Sequence, residues 1–253
     1  MTRGRTVCWF SAGAASAVAT RLVLGEQPDA VVSYCETGAE HEDNERFIAD
    51  CERWFGRPIE RLRSDRYEST WDVWEKRRYL AGIDGAPCTT ELKVMPRLAW
   101  QQPYDTHVFG YTADGPDIAR AKRLRETYFE MKIETPLIDR GINKAGCLAM
   151  IERAGIVPPV MYGLGFSNNN CIPCVKATSP NYWALVRLRF GAEFDRMARL
   201  SRDLDVRLCR IDGERRFIDE IPDDWPVTDA ISPSCDFLCQ IAEQDISAEM
   251  AKQ

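Results

Sequence analysis

Histidine is scarce, with only His41 and His107 among 253 residues. That scarcity argues against a His-centred catalytic triad and against a His-rich metal site. His41, after a short turn, reads as a surface residue. Long apolar runs are missing too: none reaches the roughly 18 residues a membrane span needs. The N-terminus "MTRGRTVCWF" has no signal-peptide apolar core, so the chain reads as cytoplasmic with no membrane partner. A basic surplus is also lacking, because the net charge is −6. Proteins that hold nucleic acid by counterion release generally carry the opposite balance. A nucleic-acid partner is left open but unsupported by charge. There is no internal repeat and no low-complexity linker.

What is present is an ordinary globular composition, 45% hydrophobic and 28% charged, with ten cysteines. Disulfides rarely persist in the cytoplasm, so the thiols need another account. Cys8, Cys35, Cys51 and Cys209 lie in apolar or amphipathic segments and read as small buried hydrophobes. Cys88, Cys147, Cys171, Cys174, Cys235 and Cys239 stand near turn residues or in close pairs.

Along the chain, strand-like and helix-like segments alternate. "TVCWF" (6–10), "AVVSYCE" (30–36), "IERLRS" (59–64) and "THVFGYT" (106–112) read as strands. Residues 15–24 read as a helix. In 41–56, Phe47, Ile48, Cys51, Trp54 and Phe55 mark one helical face ended by Gly56. Alternation of this kind implies an α/β fold with a mostly parallel twisted sheet and flanking helices. Ligands then bind beyond the carboxyl ends of the strands. Three loops fall there: Ser11–Ser16, Glu36–Gly38 and Thr112–Arg123. After about residue 140 the texture becomes helical and irregular. Asn143 reads as a helix N-cap and Gly155 as a helix stop. We therefore expect a nucleotide-binding core over 1–140 and a C-terminal part over 141–253, packed together as one domain.

The turn Ser11-Ala12-Gly13-Ala14-Ala15-Ser16 leaves a strand and enters a helix. Backbone N–H groups and the helix dipole suit such a turn to an anion, with Ser11 and Ser16 as added hydroxyl donors. A small-residue corner without a ligand explains it equally well. Cys171-Ile172-Pro173-Cys174 spaces two thiols to face one metal. Zinc satisfies the same ligands, and a redox dithiol is a further reading. "WDVWEKRRY" (71–79) reads as core packing or a lid.

Taken together these motifs resemble the PAPS (phosphoadenosine phosphosulfate) reductase family of the adenine nucleotide α-hydrolase superfamily. The turn resembles its S-G-G-x-D-S phosphate loop, and Glu36-Thr37-Gly38 resembles its D-T-G. "CTTELKVMP" (88–96) is similar to the C-C-x-x-R-K-V-x-P of the iron–sulfur members, and Cys171–Cys174 to their C-x-P-C. "CTTELK" is equally similar to the C-T-x-x-L-K of iron–sulfur ATP pyrophosphatases. The resemblance covers roughly residues 5–240 and points to short, phage-type members.

The resemblance implies a thiol-dependent reduction of a sulfonucleotide to sulfite by an iron–sulfur enzyme. An adenine nucleotide is the substrate, and a thiol reductant or sulfur donor is the second partner. Ser11, Gly13 and Ser16 would hold phosphate, and Glu36, Thr37 and Gly38 would border the nucleoside. Arg120, Lys122 and Arg123 resemble a phosphate clamp, although a solvated helix face fits them as well. Lys93 and Cys235 would be catalytic, with Lys176 a further candidate. Cys88, Cys171, Cys174 and Cys147 would hold a four-iron four-sulfur (4Fe–4S) cluster, with Cys235 or Cys239 as alternatives for the fourth ligand. Departures are plain: Ala12 replaces a glycine, Ala15 an aspartate and Thr89 a cysteine, and Cys235 lacks the family's flanking residues. An adenylating ATP pyrophosphatase that uses magnesium is therefore the rival, and a non-catalytic nucleotide-binding protein a third reading. A homodimer is compatible with all of them.

Overall fold

The computed structural model describes residues 4–82 and 85–227; Cys235 and Cys239 lie outside these. Its first element, β1 (Thr6–Phe10), carries Val7, Cys8, Trp9 and Phe10, all buried. A short continuous apolar run is what the central strand of a two-sided sheet requires. The chain then runs α1 (Ala14–Glu26), β2 (Val31–Cys35), α2 (Asn44–Phe55), β3 (Glu60–Leu62) and α3 (Thr70–Arg77). One helical segment follows in three parts: α4 (Pro87–Thr89), a π-helical turn (Thr90–Val94) and α5 (Met95–Trp100). Then come β4 (Thr106–Phe109), α6 (Gly115–Thr127), β5 (Lys132–Glu134), α7 (Pro136–Asp139), α8 (Lys144–Arg153) and α9 (Val160–Gly163). The described chain ends with α10 (Pro180–Arg189), α11 (Gly191–Asp203) and the hairpin β6 (Cys209–Ile211) and β7 (Glu214–Arg216).

Five strands form a parallel sheet in the order β3-β2-β1-β4-β5. Helices flank it, as expected of an α/β chain. β1 pairs on one side with β2 and on the other with β4, so the connections diverge there. That divergence opens a crevice at the carboxyl end of β1. Strand alternation sends Cys8 and Phe10 to one face, where they pack with α1, α2 and α8. Val7 and Trp9 face the other way, with Leu62, Trp100 and Phe109.

Most expected elements are found, with shifted ends. In α2, Phe47, Ile48, Cys51 and Phe55 are buried, and Gly56 ends the helix at a φ of 68°. Asn143 caps α8, accepting the Gly146 N–H at 2.8 Å. The segment 180–203 is broken at Phe190 into α10 and α11. β4 stops at Phe109 rather than running to Thr112. The edge strand β5 and the β6–β7 hairpin were not expected. All three strands are only three residues long; β5 and β7 are rich in charge, and the alternation of β6 is too short to mark a strand.

Packing crosses residue 140 in both directions. α8 lies against α1 in the first core, whereas Trp71, Trp74 and Leu80 join Trp183, Phe194 and Ile218 in a second. Trp71 and Trp74 meet edge to face at 5.1 Å, so the packing reading of that segment holds.

Candidate functional site

The turn from β1 into α1 lies at the crevice. Gly110, just beyond β4, packs directly on it: a Cβ there would stand 2.6 Å from Ser16 Cα. Ala12 adopts a φ of 53° and is fully buried. Ser16 Oγ accepts the Ser11 N–H at 3.0 Å and donates to the Gly13 carbonyl at 2.9 Å. Ser11 Oγ lies 3.1 Å from it. In this arrangement these hydroxyls brace the loop. The first-turn amides of α1 other than that of Ala14, which a helix leaves without an internal partner, suit an anion.

A C-terminal segment straps this loop. Tyr162 Oη accepts the Ala14 N–H at 3.2 Å. Asn169 Nδ2 donates to the Ala12 carbonyl at 2.6 Å and to Asn44 Oδ1 at 2.7 Å, and Asn44 Nδ2 donates to Tyr34 Oη at 2.9 Å. Burial pushes the Tyr162 phenol up to about 12, so it stays neutral. Neither Tyr162 nor Asn169 carried a sequence signal beyond membership of an irregular segment.

The Glu36–Gly38 loop follows β2. The Glu36 carboxylate accepts from Arg61 at 3.1 Å and from Arg63. It is thus turned toward β3 and a recess of about 360 Å³ that Arg63, Arg66, Tyr67 and Lys76 help to line. Thr37 is buried, donates to Glu40, and places Oγ1 2.8 Å from Cys171 Sγ. The Ile172 N–H donates to the Ala39 carbonyl at 2.7 Å. The second loop and the Cys171–Cys174 segment are therefore fastened together.

Lys93, in the π-helical turn, faces the same place. Burial alone would lower its ammonium pKa, but Cys171, Glu40, Cys35 and Cys174 hold it above the ordinary lysine value. Its side chain remains open to solvent, as in the wall of a recess. Burial raises the Cys88 thiol and pushes Cys171 up to about 11, while Lys93 opposes both shifts. The Cys174 N–H donates to Tyr182 Oη at 2.6 Å. Trp74 Nε1 is enclosed beside Cys88, with no acceptor at full hydrogen-bond geometry, and its N–H opposes the rise of that thiol.

Cys147 is placed elsewhere, fully buried in α8 within the first core. Cys35, read from sequence as a core residue, is half-buried at the end of β2, its thiol 3.7 Å from the Lys93 carbonyl. Among the described residues, no three His, Cys, Asp or Glu side chains converge as a single metal ion requires.

The cations of α6 are exposed, and Ala121 is the helix's buried residue. Arg120 pairs with Asp117 at 3.0 Å and lies over the Tyr111 ring at 5.5 Å. Lys122 reaches Glu126 at 3.9 Å, and Arg123 has no carboxylate partner among the described residues. Lys176 is exposed as well. His41 is half-buried against Phe190. No helix among the described residues is long and apolar enough to cross a membrane.

No family model and no curated protein matches the chain. Nine chains of solved structures do. One is a phosphoadenylyl-sulfate (PAPS) reductase from Candida auris, in a phosphate complex. It is 11% identical over 68% of this chain and 82% of that one, with a TM-score of 0.49. At that identity, no residue role is transferred from one chain to the other.

Proposed function

We propose that the chain is an iron–sulfur enzyme that binds an adenine nucleotide at the β1 crevice and reduces a sulfonucleotide to sulfite with a thiol. The contact that carries this reading is Thr37 Oγ1 to Cys171 Sγ, 2.8 Å. It joins the loop bordering the nucleoside to the cysteine segment, with Lys93 facing both. The α1 amides around Gly13 bind the phosphate, aided by the helix dipole. Lys93 offsets the substrate's negative charge, and Arg120 and Arg123 add positive field from α6.

The donor chemistry fits a cluster in one respect: the orphaned Trp74 N–H beside Cys88 suits a sulfur acceptor, and such hydrogen bonds tune iron–sulfur sites. Cys88, Cys171 and Cys174 would hold the group, which when bound would fix the cysteine segment and Lys93 beside the substrate. The fourth ligand is proposed to be Cys147 or Cys239, or Cys235 where another thiol is the nucleophile. Of these, Cys147 would have to leave the first core. Zinc fits less well, because its thiolates must meet around one ion.

In the reaction, the Cys235 thiolate attacks the substrate's sulfur. The sulfur–oxygen bond to phosphate breaks, and the nucleoside phosphate leaves with the electron pair. An external thiolate then attacks the enzyme sulfur, forming a disulfide and releasing sulfite, and a second thiol restores the cysteine.

The test is product analysis on anaerobically purified protein. Sulfite from adenylyl sulfate or PAPS with dithiothreitol is the expected result. AMP and pyrophosphate from ATP with magnesium would overturn it in favour of adenylation. Turnover of neither would leave a nucleotide-binding protein. In parallel, Cys171→Ser is expected to lose bound iron, and full retention would remove Cys171 as a ligand.

A further inference from the structure

Arg97 is the least explained charge in the described fold. It lies in the first turn of α5 and is only 7% exposed. Its Nε and Nη2 atoms are enclosed and have no acceptor. A guanidinium cannot shed its charge at any ordinary pH, and a buried one is normally paired. The Tyr128 ring lies 5.1 Å from its Cζ. That contact is with a ring face and supplies no oxygen acceptor to the enclosed N–H groups.

Neighbouring carboxylates are already committed. Asp105, which shares the surroundings of His107 with Arg97, accepts from Arg5 Nε and Nη2 and from the Gln102 N–H. Glu60 accepts from Trp100 Nε1. Asp117 accepts from Arg120 and from the Thr112 N–H and hydroxyl. Cations outnumber carboxylates here: Arg97, Arg120 and Arg123 act on Tyr111 against Asp117 alone, and Lys93 and Arg97 both act on Cys35. Lys93 and Arg97 are four residues apart in one helical segment.

Nε–H and one Nη2–H point the same way, as the side-on fork that grips two oxygens of one anion. We propose that Arg97 anchors an oxyanion subsite between α5 and α6 that takes a phosphate or sulfate group. The surplus of positive charge favours a dianion over a carboxylate. This subsite is separate from the α1 turn, and the inference does not depend on the cysteine chemistry proposed above.

Calorimetric titration of the full chain with sodium sulfate, against a chloride control, tests it. The wild type is expected to bind sulfate, and Arg97→Met to weaken that binding by about tenfold or more. Arg97→Lys keeps the charge without the fork; it guards against misfolding of the first variant and is also expected to weaken binding. Wild-type affinity in either folded variant would overturn the proposal. So would loss of sulfate binding in Gly13→Asp alone, which would move the anion to the α1 turn. Repeating the titration in saturating AMP separates the two sources of the anion. Blocked sulfate binding would mean that Arg97 takes the nucleotide's own phosphate; additive binding would mean a free anion beside it. If AMP does not bind at all, the nucleotide reading fails while the sulfate result stands on its own.

Discussion

Ala12 holds a left-handed φ of 53° with its methyl fully buried. The resemblance puts a glycine there, and the backbone gives the reason. An L-residue in that conformation costs about 1–2 kcal/mol, whereas glycine enters it freely. Against that gain, glycine loses more chain entropy on folding, about 0.5–1 kcal/mol. Ala12→Gly is therefore expected to stabilise the fold by about 0.5–1 kcal/mol, raising Tm by a few degrees for a domain of this size. A lower Tm in thermal unfolding would show that the buried methyl outweighs the strain. Ser16 illustrates what a single residue hides. Its type suggests a ligand donor, and in this arrangement its proton goes to the Gly13 carbonyl.

The junction of β1, α1 and β4 rests on Gly110. A side chain there would meet the Ser16 Cα at 2.6 Å and the Ser16 nitrogen at 2.7 Å, both backbone and unable to swing aside. Gly110→Ala must push α1 away from β4 at the mouth of the crevice. A loss of about 1–3 kcal/mol is expected, the usual range for overpacking, together with weaker AMP binding. Unfolding in denaturant alongside calorimetry would check both, and unchanged AMP affinity would detach the α1 turn from the nucleotide. Elements of this kind were legible in the sequence where burial leaves a pattern. β1, β2 and α2 announce themselves as an apolar run or a helical face. β5 and the β6–β7 hairpin do not, because edge strands three residues long bury too little to shape their composition. The site was legible only as segments. Nothing in the order of residues says that Thr37 meets Cys171, that Cys35 joins Lys93, or that Tyr162 and Asn169 strap the loop, since each contact is made between distant turns. Arg97 left no signal either: in sequence it is one arginine among many, and its lack of a partner exists only in three dimensions.

Across the whole molecule, stability carries a pH dependence that begins at His107. This residue is 3% exposed, stacks on Trp9, and accepts the Trp9 indole N–H at Nδ1, 3.0 Å away. Burial first, and then Arg97, hold its pKa below the ordinary value of 6.5; Asp105 pulls the other way and Arg5 adds to the lowering. A depressed folded pKa means that the unfolded chain binds the proton more readily. The contribution is thus complete above 6.5 and is lost as pH falls from there through the folded value. Protonation would also turn Nδ1 from acceptor to donor, setting it against the Trp9 N–H. A second loss opens further into acid, where Asp43 and Asp105 lie below the ordinary carboxylate value. For Asp43 the Arg46 hydrogen bond is the main cause. For Asp105 the bonds from Arg5 and Gln102 outweigh burial. These carboxylates lend stability above about pH 4 and lose it as they take up protons. The two windows separate by mutation. His107→Gln keeps an acceptor for Trp9 but cannot titrate, so its unfolding free energy is expected to stay level between pH 7.5 and 5.5 while the wild type declines. Both proteins should then weaken together toward pH 3. A wild type that is equally flat from 7.5 to 5.5 would mean that the folded imidazole takes up its proton as readily as the unfolded one, so that losing the Trp9 bond costs the fold little and this sheet face is more polar than its packing implies.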